Sequence, residues 1–476
     1  MLTTMTSAIG NAQKDLRFLT LSEAAQLVRT KAISPVELTE ACLLRIEGFN
    51  PSLNAYITVT AESALAEARK AEAEITRGEW KGPLHGIPLA VKDLLETAGV
   101  KTTAASAVLK DFVPKQDAQV VRRLREAGAV LLGKLNLHEF AYGGSGVIGH
   151  FGIARNPWNQ AHIAGGSSSG SAVAVAAGLC YGAIGTDTGG SIRLPATFCG
   201  IAGFKPTYGL VSTRGVMALS WSFDHVGPMT RSVADSAAML QAISGYDSQD
   251  VCSREFPPAD YSAALEKSPS RLRLGVARDP FWENLDPEVE KAIEEAIRVL
   301  HSSAAEVREV TLPATPDRTV FRCEPFVYHR QSIEDHREDY HPETLRRIME
   351  GSEITAGQYL EQFRELQLLR REIQESFREV DLIVTPTCRV LPPTISELQD
   401  ASGRLREREI VMLANTRPFN IFGLPTISVP CGFSRSGLPI GLQITGAASA
   451  ETMVLGLAQA YEQRTEWHKR TPPTGA

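Results

Sequence analysis

Two glycine-rich patches carry the serines whose setting suits chemistry. Residues 165–171 read GGSSSGS, and residues 185–195 read GTDTGGSIRLP, in which two glycines precede Ser191. Consecutive glycines allow several backbone N–H groups to aim at one point, which is what a developing oxyanion requires. A serine nucleophile also needs a group that takes its proton. Lys92 is a candidate for that role. It terminates an apolar run in which Ile87, Leu89 and Val91 alternate, and lysine is seldom fully buried without a partner or a function.

Other motifs are weaker in context. Gly144–Gly149, GSGVIG, matches a dinucleotide fingerprint, but that motif must end a strand and open a helix. HFGIARNPWN follows instead, with Pro157 where a helix would begin. Gly166–Gly170 matches the GxSxG elbow, which would make Ser168 the nucleophile. The preceding NPWNQAHIA is loop-like, and neither His225 nor His468 carries a supporting pattern, so a turn opening an alanine-rich helix is preferred. No GK[ST] follows these glycines, which excludes a P-loop. His329, His336 and His341, with Glu334, Asp335 and Asp339, lack structural zinc spacing and read as a solvated charged face. No metal and no cofactor is expected.

The elements that must position these residues alternate between helix and strand. Ser34-Pro35-Val36-Glu37 forms a capping box ahead of a helical stripe at Leu38, Cys42, Leu43 and Ile46. A second helix is predicted over Ala61–Arg77, and a capped helix over Asp117–Gly128 leads into the buried strand AVLLG. Ala172–Gly185 reads as a packed helix passing into a strand. LRLGVA, DPEVEKAIEEAIRVL and AEVREVTL make a β-α-β unit, DLIVTPT and PIGLQITG add two strands, and Glu451 begins a closing helix. This order predicts a single α/β domain over residues 1–476 with helices flanking one large sheet. Residues 315–377 are charged, helical and poor in strands, and read as a surface insertion.

Bulk properties bound the function. The chain has 476 residues, 43% hydrophobic and 22% charged, with a net charge of -6. That balance disfavours a nucleic-acid partner and a polybasic membrane anchor. The longest apolar run, Ala172–Gly185, is too short to span a bilayer, and the first twenty residues lack the pattern of a secretory signal. Seven scattered cysteines without CxxC spacing suggest neither disulfides nor a zinc cage, and a cytoplasmic setting is expected. The oligomeric state is unreadable.

The segments GIPLAVKD, GKLNLHEFAYG, ARNPWN, GGSSSGSAVAVAAGL, GTDTGGSIRLPATFCGIAGFKPTYGLVS and SFDHVGPMTRSVADSA occur in this order. Over about residues 86–237 the chain resembles the amidase signature family, and FGLPTISVPCGF and GLPIGLQITG extend the likeness towards the C-terminus. The resemblance implies a central mixed β-sheet and cofactor-free hydrolysis of the C–N bond of an amide, with esters and carbamates as further substrates of the same chemistry. It places the family's catalytic lysine on Lys92, its relay serine on Ser167 and its nucleophile on Ser191. It places the oxyanion segment on Thr188, Gly189, Gly190 and Ser191, and an acyl-pocket loop on Ala141, Tyr142 and Gly143. Ser168 is then expected to hold the loop, Ser169 and Ser171 to serve the turn and helix cap, and Asp187 and Arg193 to brace Ser191 as an ion pair. Two positions depart from the family: Ser169-Gly170 stands where Gly-Gly is common, and His138 where the glutaminyl-tRNA amidotransferase A subunit typically has Asp. The alternatives are that subunit, which supplies ammonia to a partner, and an inactive binding scaffold.

Overall fold

A computed structural model describes residues 16–316, 318–400 and 403–473. The stretch 1–15, most of the segment read above for a secretory signal, lies outside the described residues. Eleven strands form one mixed sheet: β1 (Tyr56–Val59), β2 (Pro88–Lys92), β3 (Val130–Leu135), β4 (Gly182–Asp187), β5 (Ala202–Lys205), β6 (His225–Thr230), β7 (Arg273–Val276), β8 (Glu306–Glu309), β9 (Leu382–Pro386), β10 (Thr426–Phe433) and β11 (Pro439–Gly446). Their order is β1-β3-β2-β4-β6-β5-β10-β11-β9-β7-β8. Strand β2 runs parallel to both β3 and β4, and β7 runs parallel to β8 and β9. The β-α-β unit predicted around Pro287–His301 is the β7–β8 crossover.

Local chemistry explains the flanking helices. Ser34 caps Pro35–Leu53 by accepting the Val36 N–H at 2.9 Å, while Glu37 accepts the Ser34 N–H at 2.8 Å. The helix predicted over Asp117–Gly128 spans Gln119–Glu126 and has no side-chain cap. Asp117 instead accepts the Ala98 N–H at 2.8 Å and pairs with Arg125 at 3.0 Å, so tertiary partners take the oxygen that would have capped it. Strands β2, β3 and β4 are buried along their whole length, as expected for parallel strands covered on both faces.

The insertion is helical as predicted, with Thr319–His336, Pro342–Met349 and Ala356–Glu372 and no strand among its described residues. It is more than a surface appendage, because Val320 and Leu366 join an apolar cluster with Phe223, Phe419 and Ile421 from the sheet domain. His329 also departs from the expected solvated face. It is buried, 3.0 Å from the Tyr340 hydroxyl and edge-on to Phe140, while His341 caps Pro342–Met349 and exposed His336 faces Asp339. No metal-binding cluster occurs among the described residues, and no described helix is long and apolar enough to cross a membrane.

Candidate active site

Lys92 ends β2, and Thr186 lies one residue from the end of the adjacent β4. Because these strands are parallel, their C-terminal ends meet at one edge, where open α/β sheets bind ligands. Lys92 is 0% exposed, with Nζ 2.7 Å from Ser167 Oγ and 2.8 Å from Thr186 Oγ1. Burial favours the neutral amine and pushes Lys92 down to about 7, against the opposing pull of Asp187 and Asp224. Asp93, next in sequence, is not its partner. That carboxylate faces Lys134 at 3.3 Å and accepts the Thr103 N–H at 2.9 Å.

The serine run has four different settings. Ser167 meets Lys92. Ser168 is fully buried; its hydroxyl donates to the Thr186 carbonyl at 3.1 Å and accepts the Thr186 N–H at 3.2 Å. Its own N–H donates to the Ser191 carbonyl at 3.2 Å, so Ser168 ties the turn to both β4 and the Ser191 loop and is not presented as an elbow nucleophile. Ser171, expected at a cap, instead donates to the Ile184 carbonyl at 3.2 Å and fastens helix Ser169–Ala176 to β4. Ser169 Oγ is buried without a hydrogen-bond partner, and that helix has no side-chain cap. Gly170 is required by close approach, because a Cβ there would strike the backbone of Ala55 and Asn136.

Ser191 is 5% exposed and lines a cavity together with Thr188 and Gly189. The preceding turn folds around Asp187, which accepts the Gly190 N–H at 2.7 Å and the Ile192 N–H at 3.0 Å. Arg193 meets the same carboxylate at 3.0 Å and also donates to Gln443 at 2.7 Å, Asn420 at 2.6 Å and the Thr416 carbonyl at 2.9 Å. Burial alone would raise the Asp187 pKa, but Arg193, Lys205 and Asn420 together outweigh it and hold the carboxyl well below the usual carboxylate range. Asp187 and Arg193 thus form the expected buried pair. The Gly190 N–H differs from expectation: it is turned onto Asp187, not towards the cavity. The Thr188 hydroxyl donates to Asp224 at 2.6 Å, and burial pushes Asp224 up to about 7 despite this bond and those from the Ser220 and Leu219 N–H groups.

Ala141, Tyr142 and Gly143 line the same cavity. A network that local spacing did not reveal supports their loop. Arg347 donates to the Tyr142 carbonyl and to Glu409, each at 2.7 Å, and Ser145 donates to Glu409 at 2.6 Å. Burial opposes ionisation of Glu409, yet Arg347 and Arg406 keep its pKa below the ordinary value. His138 accepts the Gly146 N–H through Nδ1 at 3.3 Å, and burial pushes it down to about 3. The imidazole is therefore neutral, and its 3.7 Å approach to Glu409 is not an ion pair. The cavity is completed by Arg318, Val320, Phe321 and Leu366 from the insertion and by Arg406, Leu413 and Arg417 further on. Nothing in the motif pattern marks the last three, because they reach the site only through tertiary folding.

The family model described as Amidase matches residues 37–455. The A subunit of a glutamyl-tRNA(Gln) amidotransferase from Moorella thermoacetica is 42% identical, covering 97% of this chain and 99% of the relative. A 6-aminohexanoate cyclic dimer hydrolase superposes with a TM-score of 0.88 at 31% identity, covering 97% and 99% of the two chains. The peptide amidase of Stenotrophomonas maltophilia gives a TM-score of 0.83 at 33% identity, covering 96% and 99%.

Proposed function

This chain belongs to the amidase family, and from that premise we propose that it hydrolyses the C–N bond of an amide or carbamate through an acyl-enzyme on Ser191. The observation that carries the proposal is the 2.7 Å contact between a fully buried Lys92 and Ser167, whose neighbour Ser168 donates its N–H to the Ser191 carbonyl at 3.2 Å. A neutral Nζ offers its lone pair to the Ser167 hydroxyl while donating to Thr186. Ser167 passes its proton to Lys92 as it takes the Ser191 proton, and Ser191 attacks the carbonyl carbon. The reverse transfer protonates the leaving amine, and water then cleaves the ester along the same path.

Backbone N–H groups of Thr188, Gly189 and Ser191 are assigned to the oxyanion, each well-placed donor contributing roughly 3–4 kcal/mol. Gly190 is left out of this set because its N–H donates to Asp187 at 2.7 Å. Asp187, Arg193 and Ser168 hold the turn, and the loop Ala141–Gly143 bounds the substrate. The test is ammonia or amine release from a panel of primary amides, anilides and carbamates. No release from any of them, with an intact fold, would remove the proposal in favour of a binding scaffold.

The identity to amidotransferase A subunits favours a narrower reading in which glutamine is the amide and ammonia passes to partner subunits. His138, standing where that subunit typically has Asp, is the residue that counts against it. Glutamine-dependent ammonia release together with copurification of two further subunits would establish the narrower reading. Turnover by the isolated chain of amides unrelated to glutamine would exclude it.

A further inference from the structure

The chemistry of the cavity narrows the substrate further, on the premise that Ser191 is an amidase nucleophile. Three guanidiniums line it, those of Arg318, Arg406 and Arg417, and no Asp or Glu does so among the described residues. An adjoining cavity shares Arg318, Arg406, Leu413 and Arg417 in its lining. The guanidiniums are crowded: burial pushes Arg318 down to about 9, and Arg406 and Arg417 push in the same direction. Arg318 Nε has no hydrogen-bond partner. Arg406 approaches Glu409 at 3.4 Å, but that carboxylate is already engaged more closely by Arg347 and Ser145. Arg417 donates to the Pro316 carbonyl at 3.4 Å and is engaged by a further contact. Apart from the reacting groups the wall is largely apolar, formed by Leu219, Phe223, Val320, Phe321, Leu366 and Ile421, with Gln362 as a neutral polar member.

We propose that the substrate is an amide with an apolar body and an anionic end, that Arg318, Arg406 and Arg417 bind the anion, and that the substrate carries no free ammonium group. A planar guanidinium matches a carboxylate with two parallel N–H···O bonds, and in a cavity sheltered from water such bonds are stronger than neutral ones. The apolar residues have no use for a small polar substrate but gain from covering a hydrocarbon or aryl segment. The same charges disfavour a zwitterion. The α-ammonium of free glutamine would meet three guanidiniums and, among the described lining residues, no carboxylate.

The test separates binding from turnover. Ser191→Ala protein is titrated calorimetrically with 4-phenylbutanoate (an anion), 4-phenylbutanamide (neutral) and 2-amino-4-phenylbutanoate (a zwitterion). The anion is expected to bind at least about tenfold tighter than either of the others, a difference of about 1.4 kcal/mol. Arg318→Gln and Arg417→Gln, made singly and together in this background, should each reduce that ratio. Equal or weaker binding of the anion, failure of the anion to bind, or a ratio unchanged by both single variants would overturn the proposal. The amidase premise is read separately, by covalent labelling of wild-type Ser191 with a fluorophosphonate. Loss of labelling with anion preference intact would count against the premise and leave the anion site standing.

Discussion

The protonation of Lys92 sets the most quantitative expectation. Burial lowers its pKa from 10.5 to about 7, so near pH 7 about half of the molecules hold a neutral amine. An unshifted lysine would be neutral in only about one molecule in 3,000 at that pH. That lowering corresponds to roughly 5 kcal/mol of differential interaction between the protonation states. For stability the sign is definite: between pH 7 and 10.5 the unfolded chain binds the extra proton, so this group's contribution rises as pH rises through that window. For activity, the rate of fluorophosphonate labelling should rise about tenfold per pH unit up to about pH 7 and then level off. At pH 5 it should lie about 100-fold below the plateau. Asp224 is also pushed up to about 7, so the limb must be assigned. Its charge raises the Lys92 pKa, and Asp224→Asn should therefore move the limb to lower pH without abolishing it. A flat profile from pH 5 to 9, loss of the limb in Asp224→Asn, or an unaltered rate in Lys92→Arg would refute the assignment of Lys92 as the base.

Ser167→Ala should lower the rate by about 10²–10⁴, the usual range for a positioned acid–base group. Ser168→Ala should mainly cost stability, about 1–3 kcal/mol in urea unfolding, because it leaves the Thr186 N–H unsatisfied. The opposite order of activity losses would restore Ser168 as nucleophile. Arg193→Met should destabilise by about 3–5 kcal/mol in the same unfolding assay, since it strands the buried Asp187 charge. A loss under about 1 kcal/mol would mean that Gly190, Ile192 and Asn420 suffice to hold that carboxylate. Gly190→Ala should nearly abolish labelling of Ser191, because φ is +132° there and a Cβ would strike Thr416.

What the sequence disclosed and what it hid divide along a physical line. Lys92, Ser167 and Ser191 stand in long motifs whose order is visible without a structure, and the structure brings Lys92 and Ser167 to 2.7 Å across 75 residues. The capping box at Ser34 and the β7–β8 crossover were equally readable, because local spacing determines them. The partners of Arg193 at Asn420 and Gln443 were not, being more than 220 residues away with no periodic signature. The same holds for Arg406, Leu413 and Arg417, which enter the cavity from the helices Leu405–Leu413 and Arg417–Ile421, where no motif marks them. Backbone direction was also invisible: GTDTGGS announces available N–H groups, but only the turn around Asp187 shows that the Gly190 N–H faces away. His329 misled because charged neighbours in sequence face solvent while its own side chain packs against Phe140.

The most direct test of the account is to quench the enzyme with acid during turnover of a 4-nitrophenyl ester and map the acyl group by peptide mass spectrometry. A single acylated residue, Ser191, is expected, with the adduct absent in Ser191→Ala and slow to form in Ser167→Ala and Lys92→Met. An acyl group on Ser168 or any other residue, or steady turnover by Ser191→Ala, would contradict this expectation.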